Sequence, residues 1–315
     1  MNQKLTGKQY TLLASMLFGM FFGAGNLIFP IILGAKAGAS LVPALLGMLI
    51  TAVGMPLLGI VALGVSRSSG LMQMSGRVAK WYSYFFTCAL YLTIGPFFAI
   101  PRCAATSFTM GIAPLVSGSH TVPQAIFTTL FFAAVLFFAL RPNNIMNSIG
   151  KYLNPIFLIC LGILVVAALL DPIQSVGSVA ASGAYADNAF STGFLQGYDT
   201  LDALASLAFG IIVVNVIKEM GVEEPGAIAK YTIKSGIFSM VLMTVIYALI
   251  AIVGAQSYGL YADQLGEPSF NGGNAFAIVA QHYLGKAGMI VLALTVTFCC
   301  MKTAIGLVTA CADTF

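Results

Sequence analysis

Charged residues are scarce in this chain of 315 residues. Only 8% of the residues are Asp, Glu, Lys or Arg and 59% are hydrophobic, whereas soluble domains carry roughly a quarter charged residues. So few charges cannot cover a surface that faces water. We therefore expect an integral membrane protein in contact with membrane lipid, without a nucleic-acid partner.

Histidine is also rare, and the cysteines lack the spacing of metal ligands. His120 and His282 fall in predicted loops, and the six cysteines fall within predicted spans, where a buried thiol behaves as a small hydrophobe. These absences exclude a His- or Cys-based metalloenzyme, and we expect no cofactor. The first hydrophobic run lacks a small-residue cleavage site and is too long for a signal peptide, which predicts a mature span.

Strands of alternating apolar and polar residues, typical of outer-membrane barrels, are absent as well. Long apolar runs are present instead, and about 20 apolar residues in a row suffice for a helix that crosses a bilayer. The sequence therefore predicts an all-α polytopic membrane protein. Residues 267–285 predict short helices over the mouth of the protein, or alternatively a flexible loop. The eight predicted spans lie near 9–35, 41–66, 80–111, 122–140, 145–170, 194–218, 232–256 and 286–312.

Lysine and arginine are unevenly distributed between the two sets of connecting segments. Basic residues concentrate in segments that face the cytoplasm. If the N-terminus is inside, the outer segments hold only Lys36, Arg102 and Lys286. The N-terminus is therefore predicted to be cytoplasmic. The basic residues of the inner segments are Lys4, Lys8, Arg67, Arg77, Lys80, Arg141, Lys151, Lys218, Lys230 and Lys234.

The first predicted helix contains residues that loosen its backbone. The stretch GMFFGAGNLIFP, Gly19 to Pro30, places the four residues 23–26 near mid-depth. Each interior glycine costs about 1 kcal/mol relative to alanine, and Pro30 deprives the Asn26 carbonyl of its helical donor. Free peptide groups in hydrocarbon must line a cavity or meet a ligand. A half-helix that begins near Asn26 favours an anion and one that ends near Phe22 favours a cation, which suits a free amino acid.

The sixth predicted helix carries two carboxylates. It reads FLQGYDTLDALASLAFGIIVVNVIK and includes Asp199 and Asp202. An acid at mid-helix costs roughly 2.5–3.5 kcal/mol on insertion scales, so both are candidates for function. Asp199 with an acid three positions later is typical of a helix N-cap, which predicts a half-helix from Thr200 after a non-helical turn at Gly197–Asp199. Interrupted spans at corresponding positions of two halves indicate the binding site of a secondary transporter.

Each interruption also has a plainer interpretation. In the first helix, Gly19 and Gly23 could form a small-residue packing face, with Pro30 a tolerated kink. In the sixth, a helix that simply begins at Thr200 would be about 27 Å long and would span the bilayer. Asp199 and Asp202 would then be ordinary caps at the outer surface.

Four segments carry a family resemblance: FGAGNLIFP (Phe22–Pro30), TIGPFFAIPR (Thr93–Arg102), GYDTLDALASLAFG (Gly197–Gly210) and MKTAIGL (Met301–Leu307). Together they resemble the bacterial branched-chain amino acid:cation symporter family. The resemblance implies a LeuT-type fold of two inverted five-helix repeats in the bacterial cytoplasmic (inner) membrane. It also implies carriage of L-leucine, L-isoleucine and L-valine with Na+ or H+, and no enzymatic activity.

The resemblance also implies which residues form the site. A first group contacts the substrate. The first break meets the substrate carboxylate, carbonyls of the second break meet the substrate ammonium, and two tyrosines line the pocket for the substrate side chain. A second group serves the coupling cation, with Na+ at Phe22, Asn26 and Thr303. The substrate group is Gly23, Ala24, Gly25, Asn26, Tyr91, Gly197, Tyr198, Asp199 and Thr200. The cation group is Gly19, Phe22, Asn26, Asp202, Lys302 and Thr303.

The sequence departs from the family pattern in length and at Lys302. Family members have about twelve spans and this chain has eight, so we expect a partial sequence. Residues 1–175 would form the first repeat and 176–315 an incomplete second one. The Lys302 ammonium could replace the cation or carry a proton, or it could snorkel to the cytoplasm. Arg102 is a candidate gate residue, or alternatively a side chain that snorkels to the interface.

The expected function is symport of branched-chain amino acids by alternating access around the two helix breaks. A channel would need a continuous polar lining, whereas the polar residues here cluster at two points. A membrane-embedded enzyme would need a nucleophile with a base, and neither histidine lies near a candidate. An inactive partial chain is the remaining alternative.

Overall fold

The fold is all-helical in a computed structural model that describes residues 5–68, 70–116, 118–141, 145–267 and 270–315. Lys4, counted among the basic residues above, lies outside the described residues, as do Pro268 and Ser269 of the segment 267–285. The helices are α1 Gly7–Phe21, α2 Gly25–Ala37, α3 Leu41–Leu49, α4 Met55–Ser66, α5 Leu71–Ser75, α6 Lys80–Leu92, α7 Ala99–Ser107, α8 Thr121–Ala139, α9 Asn154–Leu170, α10 Ala184–Tyr198, α11 Asp202–Glu219, α12 Pro225–Gln256 and α13 Gly272–Thr314.

Seven continuous helical segments within the described ranges are long and apolar enough to cross a membrane. They confirm a multi-pass all-α protein, and they match the second to eighth predicted spans. The predicted first span is divided between Phe21 and Gly25. Its first part, α1, has only 15 residues and measures about 22 Å. The seven segments are Gly25–Ser66, Lys80–Leu115, Thr121–Ala139, Met146–Leu170, Ala184–Glu219, Pro225–Gln256 and Gly272–Thr314.

The first break lies where the glycines predict it. Helix α1 ends at Phe21, and the backbone of Phe22 is extended, with φ −74° and ψ 91°. Helix α2 then begins at Gly25 and continues through Pro30. The plainer interpretation of one continuous kinked helix is therefore wrong for this segment.

The second break lies later in the chain than predicted. Helix α10 continues to Tyr198, and the interruption covers Asp199–Leu201 rather than Gly197–Asp199. Leu201 adopts a left-handed conformation with φ 64° and ψ 10°, which costs a non-glycine residue about 1–3 kcal/mol. Helix α11 starts at Asp202 rather than at Thr200, so the predicted cap at Asp199 is wrong.

The helices on both sides of the breaks pack closely through small residues. A Cβ at Gly34 of α2 would clash with the Ala251 carbonyl of α12, and one at Gly254 would clash with the Ile31 carbonyl. Such contacts bring backbones together without a large apolar side chain between them. They fix α12 beside the half-helix that follows the first break.

Residues 267–285 include a helix, as the sequence predicts. Helix α13 begins at Gly272, where the Asn271 side chain accepts a hydrogen bond from the Gly273 N–H. Its course changes at Gly285, which has a positive φ of 56°. The part before Gly285 is thus a helix of its own orientation, and the alternative of a flexible loop is wrong there.

Candidate functional site

The two breaks meet through a buried ring of hydrogen bonds. The Asn26 amide nitrogen donates to the Asp202 carboxylate Oδ2 at 2.6 Å and to the Tyr247 hydroxyl. The Tyr247 hydroxyl donates to the same Oδ2 at 3.2 Å. These side chains are 1%, 4% and 0% exposed, so Asp202 is no surface cap. The ring joins α2, α11 and α12 at one point.

The first break presents peptide N–H groups to this point. The Gly23 N–H donates to the Asn26 side-chain oxygen at 2.9 Å, and the Gly23 carbonyl accepts from the Asn26 N–H at 3.2 Å. Within the described part of the chain, the N–H groups of Ala24 and Gly25 have no acceptor. They lie at the start of α2, where the helix dipole favours an anion.

The carbonyls at the first break are less free than predicted. The Phe22 carbonyl accepts from the Cys299 thiol at 3.2 Å, and the Ala24 carbonyl accepts from the Leu27 N–H at 3.1 Å. Short local turns and a neighbouring helix therefore take up acceptors that the glycines were expected to leave open. The peptide groups of this break that stay open are therefore N–H donors, whereas open carbonyls were predicted as well.

Three of the four carbonyls predicted to meet an ammonium, those of Gly197, Tyr198 and Asp199, accept hydrogen bonds from the protein. Thr200 Oγ1 donates to the Gly197 carbonyl at 2.9 Å, the Leu201 N–H donates to the Tyr198 carbonyl at 3.0 Å, and Arg102 donates to the Asp199 carbonyl at 3.3 Å. Gly197 also lies against Thr51 of the neighbouring α3–α4 segment. These three carbonyls are therefore less open to an ammonium than predicted, and their role in binding it stays a prediction.

A small cavity of about 50 Å³ lies between the breaks. Its wall is mostly apolar, with polar groups on the side of the hydrogen-bonded ring, as in ligand sites generally. Such sites hold about 300–1,000 Å³, so an amino acid would enter only if the walls separate. The lining residues are Met20, Phe21, Gly23, Ala24, Gly25, Asn26, Ile94, Ala99, Arg102, Cys103, Thr200, Leu201, Asp202, Ala205, Phe209, Thr303 and Leu307.

One oxygen in this wall lacks a hydrogen-bond partner. Thr303 Oγ1 is buried and bonds to nothing in the described ranges. It faces the first break, since a Cβ at Gly23 would lie 3.2 Å from it. An unpaired buried hydroxyl costs free energy, which a bound cation would offset by accepting its lone pair.

A sequence profile of the family described as branched-chain amino acid transport protein matches residues 6–315. The chain belongs to this family. Over 320 residues it is 50% identical to the branched-chain amino acid permease BrnQ of Lactobacillus delbrueckii subsp. lactis, covering 100% of the chain and 70% of that relative. It is 41% identical to the BrnQ of Bacillus subtilis (strain 168) and 38% identical to that of Escherichia coli (strain K12), with the same coverages. Permeases are transporters rather than enzymes.

Lys302 is fully buried in this transport protein and lies outside the cavity wall. Its Nζ donates to the Asn154 Oδ1 at 3.1 Å, and it lies 3.6 Å from the centre of the Phe157 ring, with Phe18 and Phe22 at 5.1 and 5.5 Å. Snorkelling to the cytoplasm is therefore wrong for Lys302. Its ammonium lies beside the last turn of α1, where the helix dipole favours a cation.

Seven predicted residues do not line the cavity: Gly19, Phe22, Tyr91, Gly197, Tyr198, Asp199 and Lys302. Gly19 packs on Ile149, so it serves helix packing. Tyr91 is buried against Phe315, and Tyr198 is 43% exposed and lines a separate cavity of about 940 Å³ near Lys36, which Asp199 also lines. The resemblance placed both tyrosines in the site, whereas neither lines this cavity.

The sequence reasoning missed two residues that hold the site together. Tyr247 completes the ring, and Asn154 holds Lys302 while donating to the Ser15 hydroxyl at 2.9 Å. A polar side chain inside an apolar span was the available signal for Asn154. Tyr247 carried no such signal, since it is one of 12 tyrosines in an apolar chain.

Proposed function

We propose that this protein is a secondary active transporter. It would carry L-leucine, L-isoleucine and L-valine together with Na+ or H+ across the bacterial cytoplasmic membrane, with its N-terminus in the cytoplasm. The observation that supports this most is the contact of two interrupted helices, through Asn26 and Asp202, at the wall of a small cavity. Paired interrupted helices are typical of secondary-transporter binding sites.

The substrate would lie with its two charges at the two breaks. Its carboxylate would meet the open N–H groups of Ala24 and Gly25 at the start of α2. Its ammonium would meet the Asp202 carboxylate, since three carbonyls of the second break already accept hydrogen bonds from the protein. Its branched side chain would contact the apolar wall at Phe209 and Leu307.

Two places could serve the coupling ion. Na+ would bind among the Phe22 carbonyl, the Asn26 amide oxygen and the Thr303 hydroxyl. The first two each accept one hydrogen bond and keep a second lone pair, and the unpartnered Thr303 oxygen supports that site. A proton would instead be carried by Lys302, whose ammonium already occupies a cation position beside α1. Either ion would place positive charge near the substrate carboxylate, which gives coupling a Coulombic basis.

Two inverted repeats, residues 1–175 and 176–315, remain our proposal for the architecture. The division of the first and sixth predicted spans supports it, because inverted repeats place such breaks at corresponding positions. The second repeat would be incomplete at eight spans. Transport would proceed as the two breaks open to one side and then the other.

Uptake of radiolabelled leucine into proteoliposomes tests this function. The permease BrnQ of Lactobacillus delbrueckii serves as positive control, so that an inactive partial chain is recognised as such. We expect saturable uptake that needs either an inward Na+ gradient or an inward pH gradient. Non-saturating, gradient-independent flux would favour a channel instead, and would contradict the symporter.

A further inference from the structure

The central cavity contains two side chains of opposite formal charge. Arg102 of α7 and Asp202 of α11 both line it, and its other lining residues carry no formal charge at neutral pH. Asp202 is buried in the hydrogen-bonded ring, and Arg102 is partly buried. Charges that face an apolar cavity need a partner, because their desolvation is costly.

The Arg102 guanidinium is held from two directions. It donates one hydrogen bond to the Asp199 carbonyl at 3.3 Å, and its centre lies 5.5 Å from the Phe29 ring and 5.7 Å from the Phe98 ring. A kink at Phe98, with φ −138° and ψ −66°, starts α7 and directs this side chain toward the second break. The ring contacts hold the guanidinium without using its hydrogen-bond donors.

Most hydrogen-bond donors of Arg102 have no protein acceptor within the described residues. A guanidinium has five N–H donors in a fork that matches a carboxylate, and in the described residues a single acceptor is bonded to it. No carboxylate of the described part of the chain forms an ion pair with it at hydrogen-bonding distance. Arg102 thus lines the cavity with donors that have no protein acceptor and that match an anion entering it.

We infer that Arg102 binds the carboxylate of the substrate, opposite the ammonium-binding Asp202. The cavity then selects molecules that carry both charges of an α-amino acid, and Arg102 determines that specificity. This inference rests on the proposed function and adds a charged contact to the N–H groups of the first break. It also differs from a gate, since a gate residue affects the entry of every substrate alike.

The test compares ligands with and without the carboxylate. Unlabelled leucine, leucinamide and leucinol compete with radiolabelled leucine for uptake into proteoliposomes, and each inhibition constant is measured. In the unaltered protein we expect leucine to inhibit far better than leucinamide. In Arg102→Gln the inhibition constant of leucinamide divided by that of leucine falls at least tenfold, because leucine loses affinity whereas leucinamide does not. Arg102→Lys keeps part of the preference, since it keeps the charge but not the fork.

Arg141→Gln is the matched control. Arg141 also lies over a phenylalanine ring, 4.4 Å from the centre of Phe137, but it does not line the cavity. Its replacement leaves the ratio unchanged. Where Arg102→Gln is too slow for uptake, ligand-induced shifts of the melting temperature of the purified protein give the same comparison.

Two outcomes would overturn the inference. An unchanged ratio in Arg102→Gln means that the carboxylate is bound elsewhere, and an equal loss of affinity for all three ligands assigns Arg102 to a gate or to packing. Failure of the proposed function has a different signature. In that case the unaltered protein shows neither leucine uptake nor a melting shift with leucine, whereas the Lactobacillus permease shows both.

Discussion

Asn26 and Asp202 lie 176 positions apart in the sequence and are joined by a hydrogen bond of 2.6 Å. Each residue belongs to the first turn of a half-helix that begins in the interior of the protein. A single amide therefore connects the two breaks. Any movement that opens the cavity between the breaks must either break this hydrogen bond or move both half-helices together.

Replacement of Asn26 by alanine should reduce leucine uptake at least tenfold. The change removes a donor from the buried Asp202 carboxylate and the acceptor of the Gly23 N–H, and each unsatisfied buried group costs about 1–3 kcal/mol. The initial rate of uptake in proteoliposomes measures the effect. Asn147→Ala is the control, because Asn147 is exposed, and it should stay within about twofold of the unaltered protein. Equal effects of both changes would count against the first break as the site.

Replacement of Tyr247 by phenylalanine should lower stability and weaken leucine binding together. The ring of Tyr247 packs on Phe22 at 5.9 Å, so phenylalanine keeps the packing and loses only the hydroxyl. We expect a loss of about 1–3 kcal/mol, measured by unfolding in detergent, and a several-fold higher KM for uptake. Tyr84→Phe, at a side chain that is 61% exposed, should change neither. A lower melting temperature with unchanged KM would restrict Tyr247 to a structural role.

The sequence allowed the first break to be placed, because its signals are local. Gly23 and Gly25 weaken a helix whatever surrounds them in the fold, and the interruption at 22–24 lies at these glycines. The second break was placed too early, since Leu201 supplies its left-handed turn and leucine carries no turn signal. Only tertiary packing explains that conformation.

The composition of the site was harder to predict than the position of the breaks. Carbonyls at Phe22 and Asp199 were expected to be open, but Cys299 and Arg102, both distant in sequence, donate to them. Which side of a helix faces the cavity depends on how neighbouring helices pack. For that reason Tyr91 and Tyr198 were placed wrongly while Tyr247 was overlooked.

The effect of replacing Lys302 on the stability of the protein should depend on the charge of the new side chain. Lys302→Met keeps the length and the apolar contacts with Phe157, so the protein should fold with similar stability, as buried charges often tolerate apolar replacement. Lys302→Glu should lose about 3–5 kcal/mol, because an anion meets the Asn154 oxygen and the negative faces of the aromatic rings. Melting temperatures of the purified variants measure this difference.

Lys151→Glu is the control for Lys302→Glu. Lys151 also lies over an aromatic ring, at 5.0 Å from the centre of Tyr152, but it is exposed. Water screens its charge, so the melting temperature should change little. Tolerance of glutamate at Lys302 would show that this side chain reaches water and does not occupy a closed cation position.

Replacement of Gly23 by alanine should impair the use of Na+ if Thr303 is a ligand. The new methyl group would lie 3.2 Å from Thr303 Oγ1 and would occupy the space in which an ion contacts that oxygen. We expect the Na+ concentration for half-maximal uptake to rise at least tenfold, and Thr303→Val to act in the same direction because it removes the oxygen. Gly162→Ala is the control, since no atom lies within 4 Å of a Cβ there. If both site variants keep the Na+ dependence of the unaltered protein, the cation binds away from the first break, and Thr303 stays unpaired for another reason.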